Sequence, residues 1–361
     1  MSRFSVRGVP WSFVGTKNVE ECKTASEVME AANLNWEVGK AELFAKMPIG
    51  YPAGSDEFLD IISESKKLSP DSHFHGKDIY NPVEDMFATY RKDKNIPLGI
   101  VKQKYTVVQN SDAFKFFDDV IGKDSAIWQT AGYFNFGSRI FVSAKLPDTI
   151  TVHGDPIDEY LVFTNSHNGT TGVNILFTPI RVICQNTLNA AIRNATNIIN
   201  IRHTKSVHKN ITVANEVLGI AKQQGIQFKT VADKLAEIKI SDGIVAKYIC
   251  EHFMTTDELE KLKFTGHTYG QIVSRDGGAF YDIGLSTRKL NTISSTWEYY
   301  FEGPGQKEII GTAWGAANAI SGYYSNVDTS SVADKRMDSI LYGDRSRNIA
   351  KAFDNALNLA V

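Results

Sequence analysis

The periodicity of apolar residues changes once along this chain, near Val207, and that change constrains the fold more than any other feature. Upstream of it the pattern is that of strands. Residues 99–108 carry Ile100, Val101, Tyr105, Val107 and Val108, a β-branched and aromatic run that reads as a strand. Ser111 can then cap a helix bearing Phe114, Phe117, Val120 and Ile121, which Gly122 stops. Residues 126–132, 139–145 and 149–153 are β-rich runs broken at Gly137-Ser138 and at Pro147-Asp148, as in an antiparallel meander. Runs 160–164 and 173–177 flank the polar loop 165–169, and residues 181–184 add a strand that leads into a helix starting near Asn186 or Thr187.

Downstream the period becomes helical, through 214–224, 231–236, 244–252 and 257–262, with further helices expected at 311–324 and 344–359. The expected fold class is α+β, with a mainly antiparallel central sheet, helices packed on it and a helix-rich C-terminal part. The expected organisation is an N-terminal arm and small helical layer over 1–95, a β-rich core with a strand-to-helix basic segment over 96–206, and a helix-rich part over 207–361 that shares the core. In the first of these, helical stretches at 24–32 and 56–68 are divided by Pro48, Pro52, Pro70 and Pro82. No internal repeat or low-complexity linker separates the parts.

With 42% hydrophobic and 22% charged residues in 361, the chain has the composition of a folded protein large enough to bury a full core. Cys22, Cys184 and Cys250 are odd in number and far apart, which argues against a disulfide framework or a thiolate zinc site and fits a reducing cytosol. The N-terminus lacks the apolar run of a signal peptide, and no segment reaches the roughly 18 apolar residues of a membrane span. A formal net charge of -2 excludes a surface that is basic throughout. A nucleic-acid binder of this composition must segregate its charge.

Such segregation is visible. Between Glu159 and Glu216 there is no Asp or Glu, where the chain average predicts roughly six. The same stretch holds Arg181, Arg193, Arg202, Lys205 and Lys209 with His167, His203 and His208. Burial of strands explains missing acids around 161–163, 175–177 and 182–184, but the polar run 202–209 must face solvent or a ligand. Arg139, Arg181, Arg193, Arg202, His203, Lys205 and Lys209 are therefore candidate phosphate contacts, and Asn186 and Asn189 can add hydrogen bonds. Tyr133 and Phe134, beside Phe136 on a hairpin-like turn, are candidate base-stacking rings, although aromatics in strands more often belong to a core.

Patterns for catalysis are incomplete. Cys184, His167 and Asn186 supply the residue types of a cysteine hydrolase, yet Cys184 sits in an apolar strand, where a thiolate is disfavoured. The pairs His203 with His208 and His73 with His75 lack the further ligands of a metal shell. Neither 274–278 nor 303–305 continues as a phosphate loop. The carboxylate pairs Asp118-Asp119 and Asp257-Glu258 fall at ends of expected helices, where they complement the dipole. No catalytic residue, cofactor or metal is expected.

Residues Val9-Pro10-Trp11, Thr164-Asn165-Ser166-His167-Asn168-Gly169, and the run from Thr178 through Pro179, Ile180 and Arg181 to Cys184-Gln185-Asn186-Thr187-Leu188 resemble the phage/plasmid-like family, domain of unknown function 932. Gly311-Thr312-Ala313-Trp314 with Asn318-Ala319 resembles that family's C-terminal signature. The chain departs from the pattern after Trp11, where relatives have a Trp-His-Gly-like opening, and at Asn168, where an Asp is usual. The resemblance implies carriage by phages, prophages and plasmids, hence a bacterial host cytoplasm, and brings no catalytic residues.

The leading expectation is a non-enzymatic nucleic-acid-binding protein, single-stranded DNA first, acting in replication or recombination. The alternative is a host-takeover or anti-defence protein that binds a bacterial protein. A third is an enzyme of unrecognised type using His167 and Cys184. Annealing factors act as oligomers, and the apolar stripe Ile349, Ala352, Phe353, Ala356 and Leu357 fits either the core or a homo-oligomer contact, with core the first expectation.

Overall fold

The computed structural model describes residues 16–114, 127–181, 184–185, 198–207, 215–276, 278–328, 339 and 343–360. Its centre is an antiparallel sheet whose long strands follow one another in the chain: β6 (Ile127–Phe134), β7 (Arg139–Val152), β8 (Asp155–Ser166) and β9 (Val173–Arg181). β1 (Thr16–Asn18) joins the β6 edge, and β10 (Cys184–Gln185) and β11 (Ile198–Ile201) both pair with β9. The expected break at Pro147-Asp148 is instead an irregularity of register between Lys145 and Thr149 inside a continuous β7, which lets a proline sit in a long strand without ending it.

The N-terminal part holds more than an arm and helices. α1 (Ala25–Ala31) and α2 (Asp56–Leu68) lie where the sequence places them, capped by the side chains of Thr24 and Ser55. Between and after them a second antiparallel sheet forms from β2 (Val38–Pro48), β3 (His73–His75), β4 (Asp78–Arg91) and β5 (Ile96–Lys102). Along its length β4 pairs with β2, and its other edge pairs with β3 at one end and β5 at the other. Pro48, at the end of β2, and Pro82 and Pro97, inside strands, mask this sheet in a reading that takes proline as punctuation. The strand expected over 99–108 thus belongs to the second sheet and stops at Lys102.

The C-terminal part is helical: α3 (Asn215–Glu237), α4 (Asp242–Phe253), α5 (Thr256–Thr265), α6 (Tyr269–Ser274), α7 (Ala279–Asp282), α8 (Thr287–Glu302), α9 (Ala313–Gly322) and α10 (Asp344–Ala356). Runs 214–224 and 231–236 are one helix, α3, and α8 is an addition to the sequence reading. Two cores result. Ile140, Val142, Ala144, Leu161 and Phe163 of the central sheet pack with Val28, Leu34, Trp36 and Leu98. Farther along the same strands, Ile150, Val152 and Ile157 pack with Phe228, Trp314 and Phe353 of the helices. Ile349, Ala352, Phe353 and Ala356 are fully buried, so the α10 stripe is core.

Candidate anion-binding cleft

The loop between β8 and β9 is built around a buried polar junction that joins the two sheets. The side-chain amide of Asn110 donates to the carbonyls of Leu34 and Trp36, leaving its Oδ1 to accept from His167 Nε2 at 2.9 Å. His167 is therefore protonated on Nε2, and burial pushes its pKa down to about 3. Thr89 of β4 donates to the His167 carbonyl at 2.6 Å, and Tyr105 Oη donates to the Ser166 carbonyl at 2.7 Å. Gly99 of β5 is needed here, because a Cβ would lie 2.5 Å from Asn168 Cα. His167 is at 0% exposure and serves this junction. It is closed to any substrate.

Beyond the junction the chain turns through Gly169, at φ +74, and Asn168 Oδ1 accepts from Ser166 Oγ, Thr170 Oγ1 and the Thr170 amide. An Asn at 168 fulfils this acceptor role as an Asp would. The loop faces the turn that follows β5 and the end of β11, and a cleft of about 780 Å3 opens between them. Its cations are Lys102, Lys104 and Arg202, all exposed, and among the described residues none lining it is a carboxylate. Asn174, Asn200, Thr170, Thr171 and Thr204 supply the polar remainder. Two further charges stand close. Lys40 Nζ donates to the Gln103 carbonyl at 2.7 Å, which fixes it against the 102–105 turn, and Arg139 Nη2 donates to Thr170 Oγ1 at 3.2 Å.

His203 forms part of the wall. Its ring stacks on Tyr105 with centroids 4.5 Å apart, and Nδ1 lies 3.0 Å from the Thr106 carbonyl. A carbonyl can only accept, so Nδ1 carries the proton and Nε2 presents a lone pair. That Nε2 is closed off from solvent without a partner in the described structure, and burial holds the imidazole below its ordinary pKa against the opposing pull of the Thr106 bond.

Of the candidates from sequence, Arg202 and His203 lie in the cleft and Arg139 adjoins it, while Lys205 is exposed on the turn just beyond. The two rings go elsewhere. Phe134 is 3% exposed and stacked on Phe141, so it offers no face to a base. Tyr133 is half-buried, edge-on to Trp36 and beneath the Arg91 guanidinium. Phe136, at 72% exposure, occupies the tip between β6 and β7. Arg181 lies at the end of β9 as backbone, and Arg193, Lys209, Asn186 and Asn189 fall outside the described residues. Lys102, Lys104 and Asn200 escape a reading of the acid-free stretch alone. The first two come from the end of β5 and the turn after it, and Asn200 resembles its many neighbouring asparagines.

The fold and the cleft define an α+β protein of two antiparallel sheets and a helical part, with a cationic cleft at the sheet junction that no carboxylate among the described residues lines. The chain belongs to the domain-of-unknown-function family DUF932, whose model matches residues 97–353. No curated protein and no solved structure matches it. Of the motif residues that carried the resemblance, 164–169 join the sheets and Trp314 is buried with its Nε1 donating to Asp155 Oδ2 at 3.3 Å, while Val9-Pro10-Trp11 and Asn186-Thr187-Leu188 lie outside the described residues. Among the described residues, no group of three or more His, Cys, Asp or Glu is placed to hold a metal, and no helix is long and apolar enough to cross a membrane.

Proposed function

We propose that this protein binds single-stranded nucleic acid, DNA first, with the sugar–phosphate backbone entering the cleft between the β5 turn and the β8–β9 loop. The observation that supports this most is the convergence of Lys102, Lys104 and Arg202, from two separate parts of the chain, on one cleft without a lining carboxylate among the described residues. Unopposed cations raise the local concentration of anions, and they do so most strongly in a concave site. At about 780 Å3 the cleft falls within the roughly 300–1,000 Å3 of small-ligand pockets. That size suits one or two units of a flexible strand. The Thr and Asn side chains around it are the usual uncharged partners of phosphate and sugar oxygens.

Binding of a labelled single strand and its duplex across a salt series tests this reading, with a variant carrying Lys102→Ala, Lys104→Ala and Arg202→Ala beside the wild type. Affinity for the single strand should fall with salt, and the variant should lose up to about 2 from the logarithmic slope, since each neutralised phosphate contributes about 0.7. A folded wild type that binds neither strand nor duplex at low salt would remove the proposal. In that event a protein partner becomes the better reading, for which the exposed rings of Phe264 (93%) and Tyr281 (78%) on the helical part would be the first contacts to change.

A further inference from the structure

The second sheet has a long open edge. β2 pairs with β4 on one side, and among the described residues no strand pairs with it on the other. The bonds at the two ends of the ladder show which backbone groups face outward. The Lys92 amide donates to the Glu37 carbonyl and the Ile49 amide to the Lys77 carbonyl, so odd-numbered residues of β2 bond β4 and even-numbered ones point away from it. The irregularity between Glu42 and Phe44, whose partners are Phe87 and Pro82, falls on β4 and leaves β2 in step. At Val38 the Gln109 side chain takes up the outward amide and carbonyl, at 2.9 and 3.0 Å. Lys40, Glu42, Phe44 and Lys46 present theirs to whatever lies alongside.

The side chains say what fits. Lys40, Glu42, Phe44 and Lys46 share one face of β2, and the apolar Ala41, Leu43, Ala45 and Met47 share the other. Set antiparallel to a second copy of itself with a two-fold axis at Phe44, the edge is self-complementary. Phe44 meets Phe44, and Glu42 of each copy faces Lys46 of the other. On the opposite face Leu43 meets Ala45 and Ala41 meets Met47, which is 42% exposed in the single chain. Neighbouring registers fail: they set Lys40 against Lys46, Glu42 against Glu42, or Lys46 against Lys46, and like charges directly opposite are destabilising. The register that sets Lys40 against Glu42 needs the edge at Val38, which Gln109 closes. We infer that β2 is a homodimerisation edge, through which two copies of this chain join antiparallel about an axis at Phe44 into one continuous sheet. β5, which leads into the cleft, pairs with the far edge of β4, so the inference stands independently of what the cleft holds.

Sedimentation equilibrium of the full chain over a concentration series tests it. The wild type should approach twice the mass of one chain as concentration rises. Glu42→Lys and Lys46→Glu, both at exposed positions, should each raise the dissociation constant about tenfold by setting like charges opposite one another twice. An equimolar mixture of the two variants should dimerise again, because each pair then opposes a lysine to a glutamate. Phe44→Pro removes an outward donor that β4 does not use, and should give a monomer with an unchanged far-UV spectrum. A wild type that stays monomeric at every concentration would overturn the inference and leave the edge to an extended segment of another protein. A dimer that survives both charge reversals and Phe44→Pro would place the interface on another surface and overturn it equally.

Discussion

Glu159 lies on β8 at 7% exposure with its carboxyl against Gly225 of α3, so close that a Cβ there would collide with Oε1. Burial, and secondarily the charge of Asp148, raise its pKa to about 7. An acid whose folded pKa exceeds its unfolded value contributes stability below about pH 4.5 that is lost as the pH rises through about 7. Glu159→Gln should therefore melt with the wild type near pH 4.5 and above it at pH 8, by an amount corresponding to about 1–3 kcal/mol. A melting difference independent of pH would show that the carboxyl is ionised without cost. His252 has the opposite sign. Burial, with a smaller contribution from Lys351, lowers its pKa to about 4, so the fold loses stability as the pH falls from about 6.5 towards 4. Replacing it with Leu, against Phe253 and Tyr324, should flatten that part of the stability profile in urea titrations. An unchanged acid limb would assign the loss to carboxylates elsewhere.

Among the elements, β5 and the β8–β9 loop decide whether the cleft has its shape. Gly99→Ala should push Asn168 away, destabilise the protein by about 1–3 kcal/mol in denaturant unfolding and weaken single-strand binding together with it. Gly50→Ala, where no heavy atom lies within 4 Å, serves as the neutral control. Loss of stability without loss of binding would separate the junction from the cleft. The meander β6 to β9 was legible in the sequence because β-branched runs alternate with turn residues, and α4, α5, α9 and α10 because their apolar period is uninterrupted. The second sheet was not. Pro82 and Pro97 interrupt its strands, and β2 alternates too weakly to stand out from a loop. α8 is a different case, since Thr287, Asn291, Thr292, Ser294, Ser295 and Thr296 lower its helical signal, and its face becomes apolar only through Leu290, Ile293, Tyr299 and Tyr300 packed on neighbouring helices.

At the scale of the molecule, a net charge of -2 coexists with a cationic cleft because the acids lie elsewhere: Asp93 pairs with Arg91, Glu258 with Lys289, and Asp328 with Arg345. Arg202 and His203, which line the cleft, come from the acid-free stretch between Glu159 and Glu216. Half of the cleft was not legible in the sequence, because Lys102 and Lys104 reach it only when β5 of the second sheet is placed beside the β8–β9 loop. That is a tertiary pairing which no local pattern encodes. The surroundings of Tyr133 and Phe134 are not legible for the related reason that alternation along β6 shows which residues share a face, and not which face is covered by Trp36, Arg91 and Phe141.

Under the proposed function the strand lies in the cleft between the β5 turn and the β8–β9 loop. Photocrosslinking of a halogenated single-stranded oligonucleotide to the intact protein, followed by mapping of the modified peptides, tests it most directly. Crosslinks should concentrate in residues 100–105, 169–174 and 200–204 and should disappear when Lys102, Lys104 and Arg202 are all replaced by Ala. Efficient crosslinking confined to α2 or to the helices around Phe264 and Tyr281, unaffected by those three substitutions, would contradict it.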